Sequence, residues 1–273
     1  MINIEINAKD IIIGDFKLSD YGLCFGYFSY NDVSEDELGM NLNVIEEFIG
    51  NSPIPVYLGQ KYQNKLSFNM SIVKNPCIYN DLYFTERECR LILRQLTGIR
   101  GYQWTKIIND NIDEDIWYRT KVVNISYERV GGHICGIIFQ VDCDSQFAWS
   151  SEYNITINAK SNVPFYIYNN TDDLNNYIRP YVTIRSSSAG SIALTNKSDS
   201  SWTTKIDNLV ANEMITIDNK NEIIISDKGH ILLLNDFNLK WIRLVPDKNS
   251  YICNKDAVIK FKYRVPRKVG LIG

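Results

Sequence analysis

The feature that most constrains this chain is a single helical segment in a sequence otherwise composed of strand patterns. Thr85 and Glu88 stand at the spacing of a capping box, in which each side chain satisfies a free amide at the helix start. Apolar residues follow at i, i+3, i+4 and i+7 and end before Gly98, a common stop residue: Cys89, Ile92, Leu93 and Leu96. The sequence therefore predicts one amphipathic helix that must pack on a sheet.

Alternating apolar and polar residues predict strands on both sides of this helix. Around the helix the patterns cover residues 3–7, 11–16, 65–73, 102–108, 116–124 and 134–141. Further along, they cover residues 153–159, 165–168, 181–185, 191–195, 202–207, 213–218, 222–226, 230–234, 240–245 and 257–265. Short strands separated by Asn, Asp, Gly and Ser are typical of a two-sheet sandwich or jelly roll.

The length of 273 residues is about twice that of a typical domain, so we expect two domains. A strong strand ends in polar turn residues near residues 143–149, before a new alternating pattern begins. The predicted organisation is therefore a β domain with one helix at residues 1–145 and a β-sandwich at residues 146–273.

Composition excludes several classes of function. The net charge is −3, with 29 basic and 32 acidic side chains, so the basic surface that nucleic-acid binding requires is not expected. No apolar run approaches the ~20 residues that cross a bilayer, and the acidic N-terminus does not resemble a secretion signal, so folding in the cytosol is expected. Asn is abundant and Ala scarce, which we attribute to an AT-rich coding sequence rather than to a structural role.

The search for catalytic groups finds no known motif. The two histidines, His133 and His230, stand next to glycines at strand starts and are interpreted as surface or edge residues. Asp142 and Asp144 could share a strand face as a glycoside-hydrolysing pair, but Asp also accumulates where strands end in turns. The six cysteines are expected to be small buried hydrophobes, and they lack the paired Cys-x-x-Cys spacing of a zinc site. The sequence thus predicts no enzyme, no cofactor and no metal.

Three aromatic residues are candidates for glycan or partner contact. Trp149, Trp202 and Tyr177, the last beside Asn175 and Asn176, could stack on a sugar ring. A carbohydrate-binding β-sandwich module for cell-surface glycans is therefore the alternative function. Burial in a core or between subunits is the favoured interpretation of these aromatics, because Trp is usually largely buried.

The last predicted strand has a basic face. Lys260, Lys262 and Arg264 alternate with apolar residues that point to the other side. We expect this face to be solvated, although it could also meet an acidic partner.

Several segments in a fixed order resemble the distal tail proteins of long-tailed bacteriophages. The N-terminal segments that carry the resemblance are residues 55–62, 66–74 and the helix that ends at 96–98. Residues 137–149 resemble the domain junction of that family and residues 238–245 its closing strand region. Gln146 stands where proline is more usual, and Asp247-Lys248 replaces a more usual glycine turn.

The resemblance implies a structural protein of the virion, at the tail tip or baseplate, that is assembled in the cytoplasm of the host. It implies an N-terminal β-barrel-like domain that closes into a hexameric ring and a C-terminal galectin-like sandwich. The implied partners are the tail tube protein, a tail-associated hub protein and a receptor-binding protein or tail fibre. DNA would pass through the ring without specific binding, which agrees with the acidic net charge.

Overall fold

The protein consists of two compact units. The computed structural model describes residues 9–26, 42–50, 52–62, 65–108 and 115–268, so the strand predicted at residues 3–7 lies outside the described residues. One unit comprises Met1–Trp149 with Lys268–Gly273, and the other comprises Ser150–Arg267.

The N-terminal unit is built on one antiparallel sheet. Its strands, together with β10 at the unit boundary, are β1 Asp10–Ile13, β2 Phe16–Lys17, β3 Leu23–Phe25, β4 Leu42–Glu47, β5 Val56–Tyr62, β6 Ser67–Lys74, β7 Gln103–Ile108, β8 Ile116–Val130, β9 His133–Cys143 and β10 Ala148–Ser150. The main path of the sheet runs β2-β1-β7-β8-β9-β6-β3, while β4 and β5 form a separate pair. A short 3-10 helix, Leu18–Tyr21, connects β2 to β3.

The N-terminal sheet does not close into a barrel in the part of the chain that the structure describes. Its path ends at β2 on one side and β3 on the other, and these two strands do not pair. Strands of two and three residues are too short to supply the staggered ladder that closes a barrel. The predicted mainly β fold is confirmed, but the barrel-like closure is corrected to an open sheet.

The predicted helix is confirmed as α1, Glu86–Thr97. The Thr85 hydroxyl accepts from the Glu88 amide at 3.3 Å, and the Thr85 amide donates to the Glu88 carboxylate at 2.7 Å, which completes the capping box. The buried side chains of the helix, Cys89, Ile92 and Leu96, join the core of the sheet. Leu93, predicted in the same stripe, is only half-buried.

An ion pair ties the start of α1 to the end of β6. Lys74 is 7% exposed, and its Nζ lies 2.9 Å from Glu88 Oε1. Burial alone would raise the pKa of Glu88, but hydrogen bonds from Lys74 and Thr85 lower it below its usual value. The same carboxylate therefore caps the helix and neutralises a buried lysine.

The C-terminal unit is a two-sheet sandwich, as predicted. Its strands are β11 Tyr153–Ala159, β12 Pro164–Asn169, β13 Tyr181–Ser186, β14 Gly190–Asn196, β15 Trp202–Leu209, β16 Met214–Asp218, β17 Ile223–Ser226, β18 Asp247–Cys253, β19 Ala257–Tyr263 and β20 Pro266–Arg267. One sheet has the order β11-β19-β13-β16-β17 and the other the order β12-β18-β14-β15. Ile184 and Phe261 from the first sheet and Ile167 and Tyr251 from the second belong to one buried cluster.

Two predicted strands of this unit are wrong, and the sequence patterns predict neither β18 nor the two-residue strand β20. Residues 230–234 lead into a four-residue helix, α2 Leu233–Asp236, and residues 240–245 form no strand. The strand β18, Asp247–Cys253, was not predicted because its polar start resembles a turn. Ile242 and Leu244 are nevertheless buried, so the apolar alternation of residues 240–245 correctly indicated burial.

Buried asparagine side chains hold residues 240–245 in place of a neighbouring strand. The Ile242 amide donates to Asn219 Oδ1 at 2.6 Å, and the Val245 amide donates to Asn249 Oδ1 at 2.9 Å. Asn169 Nδ2 donates to the carbonyls of Leu244 and Val245 at 3.2 and 3.1 Å. Asn169, Asn219 and Asn249 are all fully buried, so these asparagines have the structural role that composition alone did not indicate.

We predict that Asn219→Ala destabilises the protein by roughly 2 kcal/mol or more, because it leaves the Ile242 amide and the Pro180 carbonyl buried without their partner. Denaturant unfolding measures the change. Asn175→Ala is the control, since Asn175 is exposed, and we expect a change within about 0.5 kcal/mol. Equal effects of the two substitutions would show that the Asn219 bonds do not stabilise the sandwich.

Candidate assembly surface

The strands β4 and β5 form a β-hairpin that pairs with no other strand among the described residues. The pairing runs from Leu42 opposite Tyr62 to Glu47 opposite Val56, with an irregularity after Ile45. A two-stranded hairpin alone is at best marginally stable in water. We therefore expect this hairpin to be stabilised by packing against another surface.

Both faces of this hairpin carry exposed apolar side chains. Successive residues on a strand point to opposite faces, so Val44 and Ile45 expose apolar groups on different sides. Including the turn region, the exposed fractions lie between 44% and 73% for Val44, Ile45, Phe48, Ile49, Ile54, Val56, Tyr57 and Leu58. Contiguous exposed apolar surface of this kind marks protein–protein contact. The hairpin is our candidate assembly surface.

No clear sequence pattern indicates this surface. Residues 38–48 fit neither a helix nor a strand pattern well, and their first part lies outside the described residues. Apolar residues normally indicate a core, and no pattern in one chain tells whether the core belongs to that chain or to an assembly.

Two of the three predicted aromatic contact residues lie together, on either side of an arginine. The Arg243 guanidinium lies 4.1 Å from the Tyr177 ring centroid and 4.0 Å from the Trp202 ring centroid. Asp199 accepts from Arg243 Nε at 2.6 Å and from Nη2 at 3.1 Å. The Trp202 indole donates to the Trp241 carbonyl at 2.9 Å. This stack occupies one face of each ring, and the hydrogen bonds that Arg243 donates to Asp199 raise the pKa of Arg243.

Trp149 belongs to the N-terminal unit and does not join this stack. It is half-buried and packs edge-on against Trp104, with ring centroids 6.3 Å apart. The contact with Trp104 takes up part of the ring surface on which a sugar would stack.

The two histidines have different surroundings. His133 is exposed at the start of β9, with its ring centroid 4.9 Å from that of Tyr83. The side chain of His230 is 10% exposed and lies between two carboxylates, with Nδ1 3.1 Å from Glu213 Oε1 and Nε2 2.7 Å from Asp236 Oδ2. Both ring nitrogens face acceptors, which leaves none to take a proton from a nucleophile. His230 therefore links the segment before α2 to Glu213 and Asp236 rather than acting as a base.

The charges around His230 favour its protonated form. The hydrogen bond to Asp236 is the main cause that raises the pKa of His230, and Glu213 adds to it against the effect of burial. Burial alone would raise the pKa of Glu213, but hydrogen bonds from Ser226, the Val210 amide and His230 lower it. Protonated His230 thus forms a two-sided ion pair, with Glu213 at one ring nitrogen and Asp236 at the other.

The carboxylates considered for glycoside hydrolysis are both engaged with neighbours. Asp142 Oδ1 accepts from Ser67 at 2.7 Å and from Gln140 at 3.1 Å. Asp144 forms an ion pair with Arg119 at 3.1 Å. Neither arrangement resembles an acid paired with a nucleophile or base across an open cleft.

The basic face of the last strand is smaller than predicted. Lys260 and Lys262 are exposed, and Lys262 forms an ion pair with Glu152 at 3.1 Å. Arg264 lies beyond the end of β19, is half-buried and donates to the Ser150 carbonyl at 2.8 Å. The strand ends before Arg264, so Arg264 does not share the exposed face.

Within the described ranges, no group of three or more His, Cys, Asp or Glu side chains is placed to hold a metal ion. Among the same residues, no helix has the length and apolar character needed to span a bilayer.

Two sequence profiles match this chain. The profile of the phage tail protein N-terminal domain matches residues 6–145, and that of the phage tail C-terminal domain matches residues 147–263. No curated protein matches the chain significantly in sequence.

Solved structures of phage proteins share the fold. The crystal structure of SPP1 Dit (gp 19.1), described as a paradigm of the hub adsorption apparatus in phages that infect Gram-positive bacteria, is similar with a TM-score of 0.62 at 14% identity. The match covers 93% of this chain and 98% of that one. A chain of the phage p2 baseplate in its activated conformation with Sr matches with a TM-score of 0.51 at 8% identity, over 93% of this chain and 97% of that one.

We predict that the contribution of His230 to stability depends on pH. The raised pKa of folded His230 lies above the unfolded value of about 6.5, so its stabilisation is complete below that pH and is lost as the pH rises through the folded pKa. His230→Gln should therefore destabilise the protein more at about pH 6 than at about pH 9. Denaturant unfolding of both proteins at the two pH values gives the comparison.

The matched control is His133→Gln, the same substitution at the other histidine of the chain. We expect its effect to be small, because His133 is exposed. A His230→Gln effect that does not change with pH would contradict the two-sided ion pair.

Proposed function

Because this chain belongs to the phage tail protein family, we propose that it forms a hexameric ring at the tail tip that joins the tail tube to the tail-associated hub protein. The family and the fold make it a structural protein of the phage tail or baseplate. In this proposal the ring also anchors receptor-binding proteins or tail fibres, and it assembles in the host cytoplasm.

The observation that carries the ring proposal is the exposed hairpin of β4 and β5. A ring requires a head-to-tail contact, in which one patch of each subunit meets a different patch of the next. The hairpin exposes apolar groups on both faces and lacks a partner strand among the described residues, so another subunit is the simplest support for it. The contact would bury these side chains and stabilise the hairpin together with the ring.

The charge of the chain agrees with a passive conduit for DNA. With 32 acidic and 29 basic side chains, each subunit adds net negative charge to the ring. Each persistent contact of Lys or Arg with a DNA phosphate adds salt-dependent affinity, which slows the passage of DNA through the ring. We therefore propose a lumen that is not basic.

We predict that Ile49→Ser with Leu58→Ser prevents ring formation, because the pair removes apolar area from the hairpin. Native mass spectrometry and light scattering of the full chain measure the oligomer. We expect a hexamer for the parent and a monomer for the variant.

The matched control is Ile231→Ser with Leu234→Ser, which removes two apolar groups from the C-terminal unit that are at least as exposed as Ile49 and Leu58. This control should remain hexameric. A hexamer that survives the hairpin substitutions would place the interface elsewhere. A parent chain that stays monomeric at high concentration would contradict a ring formed by this protein alone.

A further inference from the structure

The outer face of the five-stranded sheet in the C-terminal unit carries a regular array of polar and basic side chains. Register places Asn154, Lys262 and Tyr181 in one row across β11, β19 and β13. The next rows are Thr156, Lys260 and Thr183, and then Asn158, Val258 and Arg185. We call these nine residues the outer face. Neighbours in a row are about 4.8 Å apart and successive rows about 7 Å apart.

The outer face is open to solvent and positively charged. All nine residues are exposed except Thr183, which is half-buried. Glu152 offsets the charge of Lys262, whereas Lys260 has no ion-pair partner among the described residues. Arg185 donates to the Met214 sulfur at 3.7 Å, which leaves its charge unneutralised there. This local positive charge stands against a net charge of −3 for the chain, so charge complementarity favours an acidic ligand.

The chemistry of the outer face suits a sugar polymer better than a protein. Protein interfaces have a core of aromatic and aliphatic groups, and among these nine residues only Val258 and the ring of Tyr181 offer apolar surface. The exposed Ile223 and Ile225 lie two strands away from Tyr181 and Thr183, at the edge strand β17. The other side chains end in amides, hydroxyls or charges, which can exchange hydrogen bonds with ligand hydroxyl groups. Tyr181 is 44% exposed and gives one ring on which the apolar side of a sugar can stack.

The outer face is also a poor match for duplex DNA. It is flat, and sequence-specific contact needs an element that enters a groove. Three basic side chains give few phosphate contacts, so binding through them alone would be weak and would fall steeply with salt.

We propose that the outer face binds an anionic polysaccharide, with Lys260 and Lys262 meeting its acidic groups and Tyr181 stacking on a sugar ring. The site is distinct from the stack of Tyr177, Arg243 and Trp202, where the arginine already covers the aromatic rings. It does not depend on ring formation, so its test is independent of the hairpin.

The test is affinity electrophoresis of the full chain through gels that contain a polysaccharide. Polygalacturonate supplies carboxylates, a poly(glycerol phosphate) supplies phosphodiesters, and dextran is the neutral comparison. We expect retardation by an anionic polymer and none by dextran, and the two anionic gels identify which acidic group is preferred. Lys260→Gln with Lys262→Gln should weaken binding at least about tenfold, as expected for the loss of a charge-assisted hydrogen bond.

The matched control is Lys205→Gln with Lys248→Gln, which removes two exposed lysines from the other sheet of the sandwich. It should leave retardation within about twofold of the parent, a change of less than about 0.5 kcal/mol. Tyr181→Ala should weaken binding to the polysaccharide but not any weak binding to linear duplex DNA.

Three results would overturn the proposal. The first is no retardation by either anionic polymer, and the second is an equal loss in both lysine pairs. The third is binding to duplex DNA that is as strong as binding to the polysaccharide and that Tyr181→Ala does not change. Such binding would make the outer face a general polyanion surface. Circular dichroism of each variant confirms that a loss does not come from unfolding.

Discussion

The N-terminal unit depends on the carboxylate of Glu88, which makes two stabilising interactions. Glu88 closes the capping box that starts α1 and also forms the ion pair with Lys74 at the end of β6. Lys74 is almost fully buried, and an unpaired charge at that depth would be strongly destabilising. The start of the helix is thereby fixed relative to the sheet. This coupling sets which face of α1 reaches the core of the N-terminal sheet, which does not close into a barrel within the described residues.

Features that depend on neighbours in sequence could be predicted, whereas those that depend on distant partners could not. The cap of α1 uses residues three apart, and the alternation of β19 is visible within seven residues. Residues 240–245 alternate in the same way, and their burial follows the pattern. Their backbone, however, bonds to the side chains of Asn219 and Asn249 and, at Leu244 alone, to the backbone of Ile178 rather than to a continuous strand. A side chain that takes the place of a strand partner leaves no periodic signal, and a high Asn content does not show which asparagines are buried.

The candidate sites show the same limit. Tyr177 and Trp202 lie close together, but their arrangement depends on Arg243, which is distant from both in sequence, and on Asp199. The sequence draws attention to aromatic residues and cannot show that a cation already occupies one face of each ring. The hairpin illustrates the opposite case, because its apolar residues suggest a core that the single chain does not provide. Only the exposed fractions in the folded chain distinguish the two.

The chain presents two surfaces whose chemistry differs enough to separate their tasks. The hairpin of β4 and β5 is apolar, and association through such groups is strengthened by salts that are excluded from protein surfaces. The outer face of the sandwich is basic and hydroxyl-rich, and contacts between exposed charges weaken as added salt shortens the Debye length. Since the hairpin lies in the N-terminal unit and the outer face in the C-terminal unit, substitutions in one need not disturb the other. A protein that assembles through one surface and binds through another gains repeated binding sites on assembly, so weak contacts at each outer face would add up to strong attachment in a ring.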